Sequence, residues 1–220
     1  MPRFPWLARL AGFLLCAALV LGAAEQPRKR VALVIDDGPI AGPNAPLLAL
    51  LAREQVRVTF SLVGQNVVAH PELAKAVAAG GHEIINHSYT HPHFLELKSD
   101  AIAKEVTDTQ EAIRQATGKS PRWFWTPNGE WDTRIEAAVR AGGLEHYPGQ
   151  RFTNLDTRDW DGATTAELFK ERATRGVRDG TMILMHEWPK VMMEALPTVI
   201  AELKRQGAEF VTLSELEAEK

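Results

Sequence analysis

Residues 31–39 read Val-Ala-Leu-Val-Ile-Asp-Asp-Gly-Pro, an apolar run that ends directly in two aspartates and a Gly-Pro turn. Five consecutive apolar residues rich in β-branched side chains are typical of a strand buried on both faces, as strands are in parallel sheets. The aspartates follow at the carboxyl end of this strand. Active sites of parallel α/β proteins form at that end, so the stretch predicts both a fold class and the place of a site.

Similar apolar runs recur along the chain, and most are followed by an amphipathic or Ala-rich segment that ends at glycine. This alternation is typical of βα units and a parallel sheet. The predicted strands cover residues 31–35, 56–63, 83–86, 123–126, 181–185 and 210–213, with weaker runs near Leu144 and at 151–155. The predicted helices cover residues 46–52, 71–79, 100–117, 132–141, 166–177 and 194–206.

Polar residues and glycines stand where these helices should begin and end. The predicted amino-terminal caps are Asn44, Ser99, Asp132 and Thr165, and the predicted carboxyl-terminal glycines are Gly80, Gly118, Gly142 and Gly207. No repeat, low-complexity tract or linker divides the chain after its leader. We therefore expect a single α/β domain over residues 25–220.

The first 24 residues have the order of a secretory signal peptide. Arg3 and Arg9 lie before or at the start of an apolar run over residues 10–21, and Gly22-Ala23-Ala24 follows it. We expect cleavage after Ala24 and a secreted or periplasmic protein. The apolar run is shorter than the ~20 residues that span a bilayer, but without cleavage it would hold the protein at a membrane.

The composition is that of an ordinary globular protein and argues against a nucleic-acid partner. The chain of 220 residues is 45% hydrophobic and 24% charged, with a formal net charge of −3. An acidic domain does not favour binding to phosphate backbones.

The single cysteine, Cys16, lies in the leader, so the mature domain would have neither a disulfide nor a thiol nucleophile. The sequence implies no stable protein partner.

Two histidines follow the third predicted strand at a spacing that suits a metal ion. His87 and His91 are four residues apart, so on a helical turn their imidazoles lie on one side and can bind one cation. With Asp37 they would supply one oxygen and two nitrogens and leave positions open for water and substrate. Zinc is the first expectation, with cobalt, nickel or manganese as alternatives. Taken alone, the aspartates are better explained by a turn. For the histidines, a polar loop with incidental imidazoles is the alternative interpretation.

Four segments together resemble motifs of the polysaccharide deacetylases, which are also called NodB homology domains or family-four carbohydrate esterases. They are Asp36-Asp37-Gly38-Pro39, His87-Ser88-Tyr89-Thr90-His91, residues 156–160 and Leu184-Met185-His186, in the family's order within residues 31–213. The resemblance implies a distorted (β/α) barrel of about seven parallel strands. It also implies a metal-dependent hydrolase that removes N-acetyl groups from an amino-sugar polymer, such as peptidoglycan or chitin.

The resemblance also implies a role for individual residues. The implied set is the metal ligands Asp37, His87 and His91, the general base Asp36, the general acid His186, its orienting partner Asp159, and the oxyanion-binding main-chain N–H of Asn128. The implied substrate-pocket residues are Trp160, Leu184, Pro127 and Trp125. The base would take a proton from the attacking water, and the acid would protonate the departing sugar amine.

The segment after the fourth predicted strand departs from the family pattern. The family commonly has an arginine two residues before the proline, where it pairs with the catalytic carboxylate, and this chain has Trp125. Arg122 and Arg134 are candidates to replace it. Asn128 likewise stands where the family has Tyr or Phe. The five tryptophans after the leader, which either contact sugar or fill the core, are Trp123, Trp125, Trp131, Trp160 and Trp188.

Three other functions are compatible with the same residues. The nearest is cleavage of O-acetyl esters on a polysaccharide, because the same chemistry attacks an ester. The second is a metal-containing carbohydrate-binding protein with weak turnover, which the Trp125 departure favours. The third is a secreted α/β scaffold in which the Asp and His clusters are coincidental, and failure to bind a divalent metal would favour it.

Overall fold

The strands are short and parallel, and helices connect most of them. A computed structural model describes residues 29–147 and 154–218. The strands are β1 (Lys29–Gly38), β2 (Thr59–Leu62), β3 (Glu83–Asn86), β4 (Trp123–Phe124), β5 (Glu145–His146), β6 (Asn154–Asp156), β7 (Thr181–His186) and β8 (Ala208–Phe210). The helices are α1 (Asn44–Glu54), α2 (Gly64–Ala69), α3 (Pro71–Ala79), α4 (Ser99–Thr117), α5 (Thr133–Ala141), α6 (Ala166–Thr174), α7 (Lys190–Arg205) and α8 (Leu213–Ala218).

The sheet is built outward from β1, the first strand in sequence. Its order is β5-β4-β3-β2-β1-β7-β6, and neighbouring strands are parallel. The short β8 pairs with the beginning of β1, over Lys29 to Val31. The predicted α/β fold, a distorted barrel of about seven parallel strands, is confirmed.

Both faces of β1 are buried, but they face different parts of the core. Val31, Leu33 and Ile35 belong to one cluster, which is packed by helical residues of α1 and α7. Ala32 and Val34 belong to a second cluster inside the barrel, with Trp123, Trp125 and Tyr147. Each buried Val, Leu or Ile contributes about 1.5–3 kcal/mol through the hydrophobic effect. The continuous apolar run is therefore explained by a strand with helices on one side and aromatic filling on the other.

The structure differs from the sequence predictions at the carboxyl-terminal end of the chain. The last strand ends at Phe210 rather than at Leu213, which instead begins α8, a helix that was not predicted. Val211 and Leu213 are buried against the barrel interior, and this burial produced the apolar run. Helix α7 begins at Lys190, so Pro197 lies inside it rather than in its first turn. Helix α2 was also not predicted.

Two of the four predicted amino-terminal caps are correct. Asp132 accepts hydrogen bonds from the main-chain N–H groups of Arg134 and Ile135, and Thr165 accepts one from that of Leu168. The predictions for Asn44 and Ser99 were wrong, because each is the first residue of its helix and caps nothing. Asn44 instead is fully buried, and its side-chain amide donates to a carboxylate of the site described below.

Some of the sequence predictions fall on residues that the structure does not describe. The predicted leader, residues 1–24, lies outside the described residues, as do residues 151–153 of the weaker strand predicted at 151–155. In the two described ranges, no helix is both long and apolar enough to cross a membrane.

The difference between Asp132 and Ser99 gives a test of the helix caps. Asp132→Ala removes the acceptor of two main-chain N–H groups, so we expect the free energy of unfolding to fall by about 1 kcal/mol. Ser99→Ala is the matched control and should stay within about 0.5 kcal/mol of the parent protein, because Ser99 makes no cap. Urea unfolding measures both, and an equal loss in the two variants would contradict the assignment.

Candidate active and metal-binding site

The pairing of β1 with β7 places the two predicted proton-transfer residues side by side. Asp36 is the register partner of His186, and both residues lie at the carboxyl end of their strands. Side chains alternate along a strand, so Asp36 continues the interior face of Ala32 and Val34. The carboxylate therefore lies at the mouth of the barrel, with its side chain almost fully buried.

These strand ends form the floor of an open cleft with a volume of about 640 Å³. Residues from the ends of β1, β3, β4, β6 and β7 contribute to it. The lining residues are Asp36, Asp37, His87, His91, Trp125, Thr126, Asn128, Gly129, Asp156, Trp160, Leu184, His186 and Trp188. The sequence had predicted most of these residues from separate motifs, and the fold brings them into one cavity.

The three predicted metal ligands converge in this cleft. Oδ1 of Asp37 lies 3.5 Å from Nε2 of His87 and 3.4 Å from Nε2 of His91. One ligand atom from each residue lies within 4.8 Å of the other two. His87 is oriented by its other nitrogen, because Nδ1 lies 2.7 Å from the main-chain oxygen of Trp125. Nδ1 therefore carries the proton and donates to that carbonyl, and Nε2 is left free to bind a metal.

The donor set fits a divalent metal ion. Oδ1 of Asp37 and Oδ1 of Asp36 are buried without a hydrogen-bond donor in the described part of the chain. Buried carboxylate oxygens are normally satisfied, so two such atoms beside two imidazoles indicate a place for a cation. One oxygen and two nitrogens are ligands that zinc accepts, and three protein ligands leave a position open. Although burial opposes its ionisation, the His87 imidazole holds the pKa of Asp37 below its usual range.

The loop between the two histidines is held by a carboxylate from α4. Glu105 accepts hydrogen bonds from the main-chain N–H groups of Tyr89 and Thr90, at 2.7 and 2.8 Å, and from the Thr90 hydroxyl at 2.8 Å. The main-chain N–H of His91 donates to the Ser88 hydroxyl. These bonds fix the turn that returns the second imidazole toward the first, so the four-residue spacing works here through a loop rather than a helix.

Left-handed backbone is concentrated in the loops of this site. Asp37, Ser88, His91 and Asn128 have φ values of 70°, 67°, 57° and 56°. For residues other than glycine such values carry a cost, which is smallest for Asn and Asp. The backbone thus turns sharply at two of the candidate metal ligands, Asp37 and His91, and the surrounding hydrogen bonds maintain that conformation.

The candidate base, Asp36, has imidazoles rather than a guanidinium as its neighbours. Burial raises the pKa of Asp36 to about 6, and the charges of His87 and His186 limit the rise. Arg122 pairs with Glu145. Arg134 binds the Asp132 carboxylate and the main-chain oxygens of Leu97 and Leu95. The two arginines considered as replacements for the family's arginine are therefore engaged elsewhere.

The candidate acid, His186, is held twice by Asp159. Oδ1 of Asp159 lies 2.8 Å from Nδ1 of His186, and Oδ2 of Asp159 accepts a hydrogen bond from the main-chain N–H of His186 at 2.8 Å. Burial alone would lower the pKa of His186, but the Asp159 hydrogen bond and the charge of Asp36 raise it to about 9. With Nδ1 turned to Asp159, a protonated imidazole presents Nε2–H as its remaining donor.

The predicted pocket residues occupy different depths. Trp160 is 49% exposed and Leu184 is half-buried, and both line the cleft. Trp125 is buried and packs on Tyr147, with ring centroids 5.9 Å apart, so it forms part of the floor. Pro127 is buried and is not among the lining residues, which differs from its predicted place in the pocket wall. Asn128 lines the cleft.

Comparison with known proteins gives the same family from sequence and from structure. Residues 23–147 match the family model for polysaccharide deacetylase. The chain is 31% identical over 192 residues to the peptidoglycan-N-acetylglucosamine deacetylase PgdA of Listeria monocytogenes, covering 87% of this chain and 40% of that protein. It is 30% identical over 190 residues to a chitooligosaccharide deacetylase of Rhizobium leguminosarum bv. trifolii, covering 86% of this chain and 82% of the other.

Among solved structures, the chain is similar to a family 4 carbohydrate esterase from Streptomyces lividans in complex with acetate. The TM-score is 0.76 at 31% sequence identity, and the match covers 83% of this chain and 91% of that chain. The chain spans about two fifths of the length of the Listeria relative.

Three residues of the site were missed by sequence reasoning. Glu105 is a charged residue on the buried side of α4, next to Val106. A charged residue on a buried helix face usually has a specific partner, so this position could have identified it from the sequence. Trp188 donates a hydrogen bond to the candidate metal ligand Asp37 and was considered only as one of five tryptophans. Glu187 is fully buried directly after His186, and its Oε1 accepts the main-chain N–H of Ile40 and the side-chain amide of Asn44. These bonds tie the loop after the two aspartates to the end of β7.

Glu187 also explains why residue 38 is glycine. A Cβ at Gly38 would lie 2.2 Å from Oε2 of Glu187, and burial leaves that oxygen without a hydrogen-bond partner in the described residues. Burial raises the pKa of Glu187 to about 7, against the hydrogen bonds from Asn44 and Ile40, which favour the charged form.

This raised pKa predicts how the stability of the metal-free protein depends on pH. Because the folded-state pKa lies above the unfolded value, the contribution of Glu187 to stability is lost as the pH rises through about 7. Between pH 5 and pH 8, we expect the parent protein to lose on the order of 2 kcal/mol relative to Glu187→Gln. Urea unfolding across this range measures the difference, with the exposed Glu96→Gln as control. A difference that does not vary with pH would contradict the assignment.

Proposed function

The chain belongs to the polysaccharide deacetylase family, and on that basis we propose that it is a metal-dependent hydrolase that removes N-acetyl groups from an amino-sugar polymer. One observation carries the proposal. The Asp37, His87 and His91 group lies in the same cleft as the buried Asp36 and the Asp159-bound His186. Together these residues supply ligands, a base and an acid, which hydrolysis of an amide requires.

The proposed division of work follows from the environment of each residue. A divalent metal held by Asp37, His87 and His91 would polarise the acetamide carbonyl and lower the pKa of the attacking water. Asp36, whose pKa is raised toward neutrality, takes the proton of that water. His186, which is protonated at neutral pH, gives a proton to the departing sugar amine. Zinc is the metal we propose first, ahead of cobalt, nickel and manganese.

The oxyanion requires a donor from the protein, and Asn128 supports that role. It lies in the cleft with a left-handed backbone, next to the buried Pro127. We propose that its main-chain N–H donates to the oxyanion. A main-chain donor does not depend on the side chain, so asparagine in place of an aromatic residue leaves the donor intact.

The proposed substrate is an N-acetylated polymer such as peptidoglycan or a chitin-like oligosaccharide. The relatives named for peptidoglycan and chitooligosaccharide deacetylation support this choice. The cleft supports it as well, because it is open and is flanked by the exposed rings of Trp160 and Trp188. Partly exposed aromatic rings offer an apolar face and keep a polar edge, which suits a sugar ring.

One observation favours a second candidate, a carbohydrate-binding protein with weak turnover. Trp125 occupies the position of the family's arginine, and Arg122 and Arg134 are bound elsewhere. Asp36 therefore depends on histidines for compensation of its charge. Cleavage of O-acetyl esters is a third outcome, because an ester presents the same carbonyl with a better leaving group.

The test of the function is acetate release by the purified domain from N-acetylglucosamine oligomers and from peptidoglycan. We expect no acetate after metal is stripped and release after zinc, cobalt or nickel is added back. His91→Ala should lose both bound metal and activity. Asp36→Asn should retain metal but lose at least about 100-fold in kcat, since a general base contributes on the order of 10² to 10⁴.

The outcomes of this test separate the candidates. Acetate from O-acetylated xylan alone would identify an esterase. Stoichiometric metal binding without acetate from any substrate would identify the binding protein. No metal binding at all would leave only the scaffold interpretation.

We also propose that the protein is exported, with cleavage of its leader after Ala24. The order of charged, apolar and small residues in the first 24 residues supports this proposal. Expression of the full sequence in a Gram-negative host should yield a periplasmic or secreted protein that begins at Glu25, measured by intact mass. A full-length protein retained in the membrane fraction would indicate an uncleaved anchor instead.

A further inference from the structure

We propose that Trp188 has two roles in this site, which are to position the metal ligand Asp37 and to bind a sugar ring of the substrate. The inference rests on the proposed function. Trp188 is neither one of the proposed metal ligands nor the proposed base or acid. The inference follows from one hydrogen bond and from the position of the indole ring in the cleft.

The hydrogen bond joins the indole to the oxygen of Asp37 that does not face the histidines. Nε1 of Trp188 donates to Oδ2 of Asp37 at 2.9 Å. The other oxygen, Oδ1, lies between the imidazoles of His87 and His91. A donor on one carboxylate oxygen fixes the rotation of the carboxylate and directs the second oxygen at the metal position. An indole nitrogen is suited to this, because it is a donor only.

Asp37 has particular need of such a partner. Its backbone is left-handed, with φ of 70°, and it lies where the register between β1 and β2 is interrupted, between Ile35 and Gly38. The side chain is only partly buried, so packing alone does not hold it as it holds His87. His87 is also fixed by the main-chain oxygen of Trp125, while Asp37 is fixed on its outer side by Trp188.

The ring of Trp188 is also placed to meet substrate. Its side chain lines the cleft and 48% of the residue is exposed. Trp160, from the loop after β6, lines the same cleft with similar exposure. The remaining exposed large apolar residues in the described ranges are Val68, Leu95 and Leu168, and none of them lines the cleft. Within residues 29–147 and 154–218, the large aromatic rings that are open to water are thus those of the site, as expected of a binding surface.

These two observations join substrate binding to the metal centre. A sugar that packs on the indole ring limits the movement of the ring, and the ring holds Oδ2 of Asp37. Asp37 in turn presents Oδ1 to the metal position. Sugar binding and metal affinity should therefore strengthen one another, which linkage requires to be reciprocal.

Substitutions at residue 188 can separate the two roles. Trp188→Phe keeps an aromatic ring and removes the donor, so we expect zinc affinity to fall about tenfold or more. Affinity for N-acetylglucosamine oligomers should change less than about twofold. Trp188→Ala removes both the ring and the donor. Zinc affinity should therefore fall as it does in Trp188→Phe, and oligosaccharide affinity should fall about fivefold to tenfold below that of Trp188→Phe.

The measurements do not depend on turnover. Zinc affinity is measured by competition with a chromophoric chelator. Oligosaccharide affinity is measured by calorimetry on zinc-loaded protein carrying Asp36→Asn, which blocks hydrolysis. The matched control is Trp123→Phe, because the Trp123 indole donates to the Ser214 hydroxyl, away from the cleft. It should leave both affinities unchanged, and thermal unfolding checks that each variant is folded.

The results distinguish this inference from the proposed function. Zinc affinity unchanged in Trp188→Phe overturns the positioning role, and oligosaccharide affinity unchanged in Trp188→Ala overturns the sugar contact. A parent protein that releases no acetate but loses zinc affinity on Trp188→Phe would contradict the proposed function and support the positioning role. A parent protein that binds no metal would overturn both.

Discussion

The parallel register between β1 and β7 is the constraint on which the site depends. It sets Asp36 beside His186 and also directs both side chains to the barrel mouth, because the residues two and four positions earlier on each strand fill the barrel interior. A shift by one residue on either strand would turn Asp36 or His186 toward the helices. The apolar core thus fixes the relative position of two charged groups that make no strong bond to each other.

Three ionisable side chains of the site are each held by a hydrogen bond with another part of the chain. Asp159 holds His186, the main-chain oxygen of Trp125 holds His87, and Trp188 holds Asp37. The loops that carry these residues adopt left-handed backbone at several positions. Such conformations persist only where surrounding contacts over-determine them. The site is consequently preorganised by contacts from several strands and is not the property of any single motif.

The fold and the main site residues could be predicted because they depend on patterns local in sequence. Apolar runs and glycines located the sheet, and Asp, His and Gly-Pro motifs located the cleft. The prediction failed where long-range packing decides the outcome. Leu213 is buried by contacts with the distant Trp123 cluster, although it lies in a helix and not in the last strand. Glu187 acquires its role from Ile40 and Asn44, about 145 positions earlier in the chain, and no local pattern reports such a partner.

The carbonyl that orients His87 belongs to Trp125, the residue that stands where the motif resemblance implies an arginine. Every amino acid carries a carbonyl, so this contact survives any replacement that leaves the backbone path unchanged. The side chain at this position is therefore free to diverge without altering the histidine tautomer. A comparison of side chains registers a lost residue here, whereas the interaction that orients His87 depends only on the path of the backbone.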